Sequence, residues 1–154
     1  MKLIEASILE NIPKEDIKSI DIGDVTYIND LKGLAGQMFQ YCIDNKGEAL
    51  SAVQIGILET WFVMRTIEKE YAIVINPSYY QDGSRYRVIE GCLSYPDEGY
   101  LVKRYKRVKV DFWTIHDGDF IYQKESMMGY AAEIFQHETD HGHGKTIAQI
   151  GKKR

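Results

Sequence analysis

The chain is poor in the features that mark secreted, membrane-spanning or segmented proteins. It has two cysteines in 154 residues, Cys42 and Cys92, far from the dense pattern of small disulfide scaffolds. A reducing compartment is expected, with at least one thiol free for other work. No apolar run approaches the roughly 20 residues that cross a bilayer, so no membrane partner is expected. The opening MKLIEASILENIPKED carries acidic residues early and has no long apolar segment, which argues against a secretory signal or transit peptide and for the cytoplasm. With three prolines, no Pro/Gly/Ser-rich linker, no repeat and no low-complexity tract, residues 1–154 read as one domain. A chain of this length buries roughly two-thirds of its unfolded surface.

Charge excludes less, but points the same way. A net charge of −4 gives no reason to expect nucleic acid or anionic lipid as the main partner. The one basic cluster, VKRYKRVKV (102–110), alternates cations with apolar residues and reads as a strand with a solvated face.

What is present separates into helical and extended patterns. In NDLKGLAGQMFQYCIDN (29–45), Leu31, Leu34, Ala35, Met38, Phe39 and Cys42 recur at helical spacing, with Asn29 or Asp30 available as N-cap. Cys42 therefore falls on the buried stripe, where a free thiol behaves as a small hydrophobe. GEALSAVQIG (47–56) is rich in small residues and bracketed by Gly47 and Gly56, as suits backbone that something approaches closely. The middle is strand-rich: TWFVMRT, YAIVINPSYY, RYRVIEGCLS and LVKRYKRVKVDFWTI have β-branched and aromatic enrichment. Gly91 and Pro96 interrupt the third of these patterns, and Asp117-Gly118 predicts a hairpin turn. A second helix is expected from near Ser126 through Met127, Tyr130, Ala131, Ile134, Glu138 and His141, with Gly142 and Gly144 placed to end it. The expected fold class is α+β, with antiparallel strands around a central late helix and one earlier amphipathic helix.

The late helix carries the chemistry. His137 and His141, four apart, share one face, and Glu138 sits beside it. This HExxH pattern supplies two metal ligands and a general base. A five-residue pattern that fixes three positions also arises by chance on solvated helices, but the apolar AAEIF before it indicates a packed one. A hydrolytic site usually takes three protein ligands and an open position for water. Cys92, in IEGCLSYP, is the candidate third, since a thiolate holds borderline-soft cations well. Read alone, a buried structural cysteine is the better reading of it.

GEALSAVQIG, EGCLS and HETDH, in that order, resemble the motifs of the peptide deformylases, metal hydrolases that remove the formyl group from the first methionine of new proteins. Glu90-Gly91-Cys92-Leu93-Ser94 and His137-Glu138-x-x-His141 match in full, and the resemblance spans most of the chain. The first motif departs: the family pattern Gly-x-Gly-x-Ala-Ala-x-Gln is met by Gly47, Ala52 and Gln54, with Ala49 and Ser51 replacing a glycine and an alanine. The resemblance implies that Cys92, His137 and His141 hold one divalent ion, ferrous iron natively, with zinc, nickel or cobalt able to substitute. It implies Glu138 as proton carrier, and the Gln54 amide and Leu93 N–H as donors to the oxyanion. Glu90 and Arg104 resemble a charge pair that braces the cysteine loop, against the plainer reading of Arg104 as a solvated strand cation.

The substrate, an N-formylated nascent peptide, would lie as an added strand near Gly47, Glu48, Ala49 and Gly91, with Val88, Tyr130 and Glu133 around its first side chain. Glu48 and Glu133 stand where the family carries aliphatic residues. Either both reach water or a cation, or the preference shifts toward polar or basic side chains. Gly142 and the short tail after it depart from members with a long C-terminal helix, which bears on contact with the ribosome exit region. His143 reads as a helix-end cation and His116 as a surface residue; a monomer is expected. Two other readings stay open, a peptidase of the general HExxH type and a non-catalytic relative that keeps the fold for binding. Metal content combined with formate release separates the three.

Overall fold

Buried and exposed residues alternate through the middle of the chain and lay out two antiparallel sheets. The computed structural model describes residues 1–66 and 68–154. In chain order the elements are α1 (Ala6–Leu9), α2 (Ile28–Asp44), β1 (Ala49–Ser51), β2 (Trp61–Arg65), β3 (Tyr71–Gln81), β4 (Arg85–Cys92), β5 (Tyr95–Tyr105), β6 (Arg107–His116), β7 (Asp119–Met128), α3 (Gly129–His141), α4 (Ile147–Ile150) and β8 (Lys152–Lys153). The larger sheet has strand order β1-β2-β3-β6-β7 and the smaller β4-β5-β8. Every pairing within them is antiparallel, and α3 touches strands of both. This is the expected α+β class. The described residues contain no helix long and apolar enough to cross a membrane.

The apolar run WFVM in β2 is explained by burial on both faces. Trp61 and Val63 join the cluster around α2, with Leu31, Ala35, Met38, Cys42, Leu50 and Ile75. Phe62 and Met64 point the other way, to Val74, Val108, Val110 and Phe112 and to Ala132 and Phe135 of α3. The larger sheet is thus sandwiched between its two long helices, and α3 is held by the edge-on packing of Phe135 against Phe62. Cys42 is fully buried, and burial pushes its thiol up to about 12, consistent with a purely apolar role.

Four sequence expectations change in detail. The run 101–115 is two strands: Lys106 is exposed where alternation would turn it inward, and the chain there passes from the small sheet (β5) to the large one (β6). Helix α2 starts at Ile28 without a side-chain cap; Asp24, not Asn29 or Asp30, accepts a backbone N–H, and it does so in the preceding 3-10 turn. Helix α3 starts at Gly129, not near Ser126, because β7 pairs with β6 as far as Met128; Gly129 makes the switch at φ 63°. Gly91 does interrupt the ladder, since the β4–β5 register shifts between Glu90 and Cys92, whereas Pro96 lies within β5. The β4–β5 hairpin turns between them, at Leu93-Ser94, with Cys92 opposite Tyr95. The turn expected at Asp117-Gly118 is present, both residues at positive φ between His116 and Asp119.

Replacing Phe135 by Ala is expected to cost about 3–5 kcal/mol of unfolding free energy, seen as a lower urea midpoint. Ile43→Ala, at a position 58% exposed on α2, should stay within about 0.5 kcal/mol of the parent.

Candidate metal centre

A cleft of about 630 Å³ opens between the two sheets. Its walls are β1 and β4, the terminal strands of their sheets, and its floor is α3. The Glu48 carbonyl accepts the Arg65 N–H at 2.8 Å, so alternation turns the N–H and C=O of Ala49 away from β2, onto the free edge. The cleft wall therefore offers unpaired backbone. Tyr71 fixes the start of this edge by donating its hydroxyl to the Gly47 carbonyl at 2.9 Å. A Cβ at Gly47 would lie 2.7 Å from Leu93 Cδ1, so that glycine lets the two walls meet.

At the deep end, Cys92, His137 and His141 bring their donor atoms within 4.8 Å of one another. Cys92 Sγ lies 3.7 Å from His141 Nε2. The i, i+4 spacing on α3 sets the two rings 5.0 Å apart between centroids, and the β4–β5 turn carries the sulfur to them. His137 is oriented from behind: its Nδ1 is 2.8 Å from Glu90 Oε1, which leaves Nε2 for the cluster. One sulfur and two imidazole nitrogens, one of them held by a carboxylate, form a donor set suited to zinc, ferrous iron, nickel or cobalt.

Two further groups face this cluster. Glu138 is 4% exposed and its Oε1 has no hydrogen-bond partner among the described residues. Burial pushes its carboxyl up to about 7, against the pull of His137. Gln54 is locked by both ends of its amide. Its Oε1 accepts the Ser51 N–H at 2.9 Å and the Ser51 hydroxyl at 3.2 Å. Its Nε2 donates to Ser94 Oγ at 2.9 Å and lies 3.4 Å from Cys92 Sγ. The amide nitrogen therefore faces Ser94 Oγ and the sulfur. Ser51, which departs from the family pattern, secures that orientation.

Behind the cluster, Arg104 is 3% exposed and is not a solvated strand cation. Its Nε and Nη2 reach Glu90 Oε2 and Oε1 at 2.8 and 2.9 Å, and its Nη1 reaches Asp140 Oδ2 at 2.7 Å. Burial alone would raise the Glu90 carboxyl; the bonds from Arg104 and His137 outweigh it and hold Glu90 at about 2. Gln136 completes the frame, exchanging two 3.0 Å hydrogen bonds with the Tyr105 backbone where β5 ends.

The outer cleft differs from expectation at two residues. Val88 does not line it; it pairs with Val102 and packs with Tyr95, Tyr100 and Ile147, while the next residue, Ile89, is in the wall. Tyr130, Glu133, Ile134, Glu48 and Gly91 do line it. Glu133 has no cation partner among the described residues; it accepts the hydroxyl of Tyr86. Burial, then the Glu133 hydrogen bond and charge, push that phenol up to about 12. Glu48 lies 3.8 Å from Arg65 with both side chains about two-fifths exposed, a screened pair worth little. Tyr86, which donates to Glu133, and Tyr79, which donates to Asp140, carry no local sequence signal, because each contact joins segments far apart in the chain.

The profile of the polypeptide deformylase family matches residues 10–154. The peptide deformylase of Thermotoga neapolitana is 36% identical over 118 residues, 76% of this chain and 70% of that protein. That of Aquifex aeolicus is 32% identical over 141 residues, covering 88% and 79%. Among solved structures, the Thermotoga maritima peptide deformylase superposes with a TM-score of 0.81 at 30% identity, over 97% of this chain and 96% of that one. A probable peptide deformylase from Synechococcus phage S-SSM7 gives 0.81 at 27%, over 96% and 97%.

Removing Arg104 strands two buried carboxylates. Arg104→Met is expected to lower the unfolding free energy by about 3–5 kcal/mol in a urea titration, with part of the loss recovered by adding Glu90→Gln. A loss under about 1 kcal/mol would show that water screens the pair.

Proposed function

Because the chain belongs to the polypeptide deformylase family, we propose that it hydrolyses the formamide on the first methionine of nascent peptides, releasing formate and a free amine, with residues 1–154 acting as one catalytic domain. The observation that carries this reading is the convergence of one thiol and two imidazoles, beside a buried carboxyl and an oriented amide, at the end of a cleft walled by free strand edges. Cys92, His137 and His141 would hold one divalent ion, ferrous iron in the native enzyme. When bound, such an ion supplies a nucleophile at neutral pH by lowering the pKa of water from 15.7 to about 7.

The chain's own residues do the rest. The peptide adds as a strand along the β1 edge, where Ala49 offers one N–H and one C=O, so binding reads the backbone and not the sequence. The same contacts place the formyl carbon beside the cluster. Glu138, held out of water, takes the proton of the attacking water and passes it to the departing nitrogen as the C–N bond breaks. The Gln54 amide and the Leu93 N–H donate to the oxygen on which negative charge develops. Because Ser51 fixes the Gln54 carbonyl, no reorientation is needed as that charge forms.

The outer wall supports a broadened choice of first side chain. Glu133 and Glu48 put carboxylates in the cleft, and a thioether gives them nothing to bond, whereas an amide or ammonium does.

Protein purified without oxygen and loaded with iron, nickel or zinc is expected to release formate from a formyl-methionyl peptide; stripping the metal with a chelator should abolish this, and adding metal back should restore it. Glu138→Gln should lower kcat about 10²- to 10⁴-fold with one metal per chain retained, and Gln54→Ala about 10²- to 10³-fold. A Glu138→Gln protein with full turnover would contradict the assigned role. Across formylated peptides differing in the first residue, kcat/KM for lysine or glutamine should lie within about tenfold of methionine, and Glu133→Leu should widen the gap in favour of methionine by about tenfold. A parent enzyme that already excludes lysine and glutamine would overturn the broadened preference.

A further inference from the structure

The buried charge network behind His137 does not stop at Arg104. Asp140, 7% exposed, takes Arg104 on Oδ2 at 2.7 Å and the Tyr79 hydroxyl on Oδ1 at 2.8 Å. Tyr79 belongs to β3 of the larger sheet, Arg104 and Glu90 to the smaller, and Asp140 and His137 to α3. A hydroxyl that no motif contains thus ties all three units together. Its position depends on a bulge. The β3–β6 register shifts between Ile75 and Ser78, at Asn76 (φ 50°) and Pro77, so the pleat changes phase. Before the bulge, even-numbered Val74 faces α3 and odd-numbered Ile75 faces α2; after it, odd-numbered Tyr79 packs on the α3 side. Without the inserted residue, Tyr79 would share a face with Ile75.

We propose that Tyr79 is a positioning residue for His137, acting through Asp140, Arg104 and Glu90. This rests on the reading of His137 as a metal ligand. One guanidinium is divided between two carboxylates. Glu90 uses both its oxygens on the Nε–Nη2 fork, and its Oε1 also faces His137 Nδ1. Asp140 receives one Arg104 N–H, on the oxygen that Tyr79 leaves free. A buried carboxylate oxygen with no donor is costly, so removing the phenol O–H gives Asp140 Oδ1 reason to draw Arg104 toward itself. The fork then slips from Glu90, and the acceptor that fixes the His137 ring becomes mobile. The expected consequence is a less ordered imidazole at the cluster with no change in the cleft that receives peptide.

Tyr79→Phe keeps the ring and removes the hydroxyl. Zinc affinity, measured by chelator competition, should fall about tenfold, the lower range for an outer partner of a metal ligand. In the iron- or nickel-loaded enzyme kcat should fall while KM for a formyl-methionyl peptide stays within about twofold. In the metal-free protein, the His137 Nδ1–H that faces Glu90 should exchange with solvent faster than in the parent, read from its ¹⁵N-coupled proton signal. Tyr80→Phe, one residue on and 57% exposed, should change none of these. A Tyr79→Phe protein with parental zinc affinity and an unchanged His137 Nδ1–H exchange rate overturns the proposal, even if its urea midpoint drops, because a merely structural role lowers only the midpoint. Should the parent protein fail to bind zinc or release formate, the metal-site reading fails, and the metal-free Nδ1–H exchange measurement still decides whether Tyr79 orients His137.

Discussion

A single guanidinium shared between two buried carboxylates sets the geometry on which the site depends. Arg104 leaves the small sheet, grips Glu90 of the neighbouring strand and Asp140 of α3, and so fixes the distance between the strand that brings the sulfur and the helix that brings the imidazoles. As a source of stability such a network is a doubtful investment, because desolvating three charges costs about as much as their attraction returns. Its value is positional. Glu90 touches both Arg104 and His137, so charge pairing is converted directly into the direction of a ring nitrogen. The apolar layers supply the folding energy, with Phe135 wedged against Phe62 and Phe112, and the ionic layer supplies the alignment.

The site also shows how a departure from a family pattern is absorbed. Ser51 stands where alanine is usual, yet its backbone N–H and its hydroxyl both hold the Gln54 carbonyl. Ala49 stands where glycine is usual, on an edge strand whose backbone is extended and tolerates a Cβ. Gly47 is the glycine that close approach requires, since Leu93 occupies the space a side chain would fill. Glu133 alters the character of the cleft, and its carboxylate survives there because Tyr86 donates to it.

Much of this was legible in the sequence, for reasons that are local. Four-residue spacing puts His137 and His141 on one face of any helix, and the order of GEALS, EGCLS and HETDH ties Cys92 to them. Features set by long-range geometry were hidden. Nothing in 101–115 announces that Lys106 hands the chain from one sheet to the other, because both halves have the same strand composition. The phase change at Asn76-Pro77 that turns Tyr79 toward α3 is a register effect, visible only when β3 is paired with β6. Val88 was misplaced on similar grounds: proximity in sequence to EGCLS does not say which neighbour packs against Val102 and which faces the cleft.

The proposed chemistry stands on one sulfur and two imidazole nitrogens meeting at a single ion. X-ray absorption on zinc-loaded protein measures this directly. One sulfur at about 2.3 Å and two imidazole nitrogens at about 2.0–2.1 Å are expected, with the sulfur shell lost in Cys92→Ser. A zinc shell without sulfur in the parent protein, or one unchanged by Cys92→Ser, would contradict it.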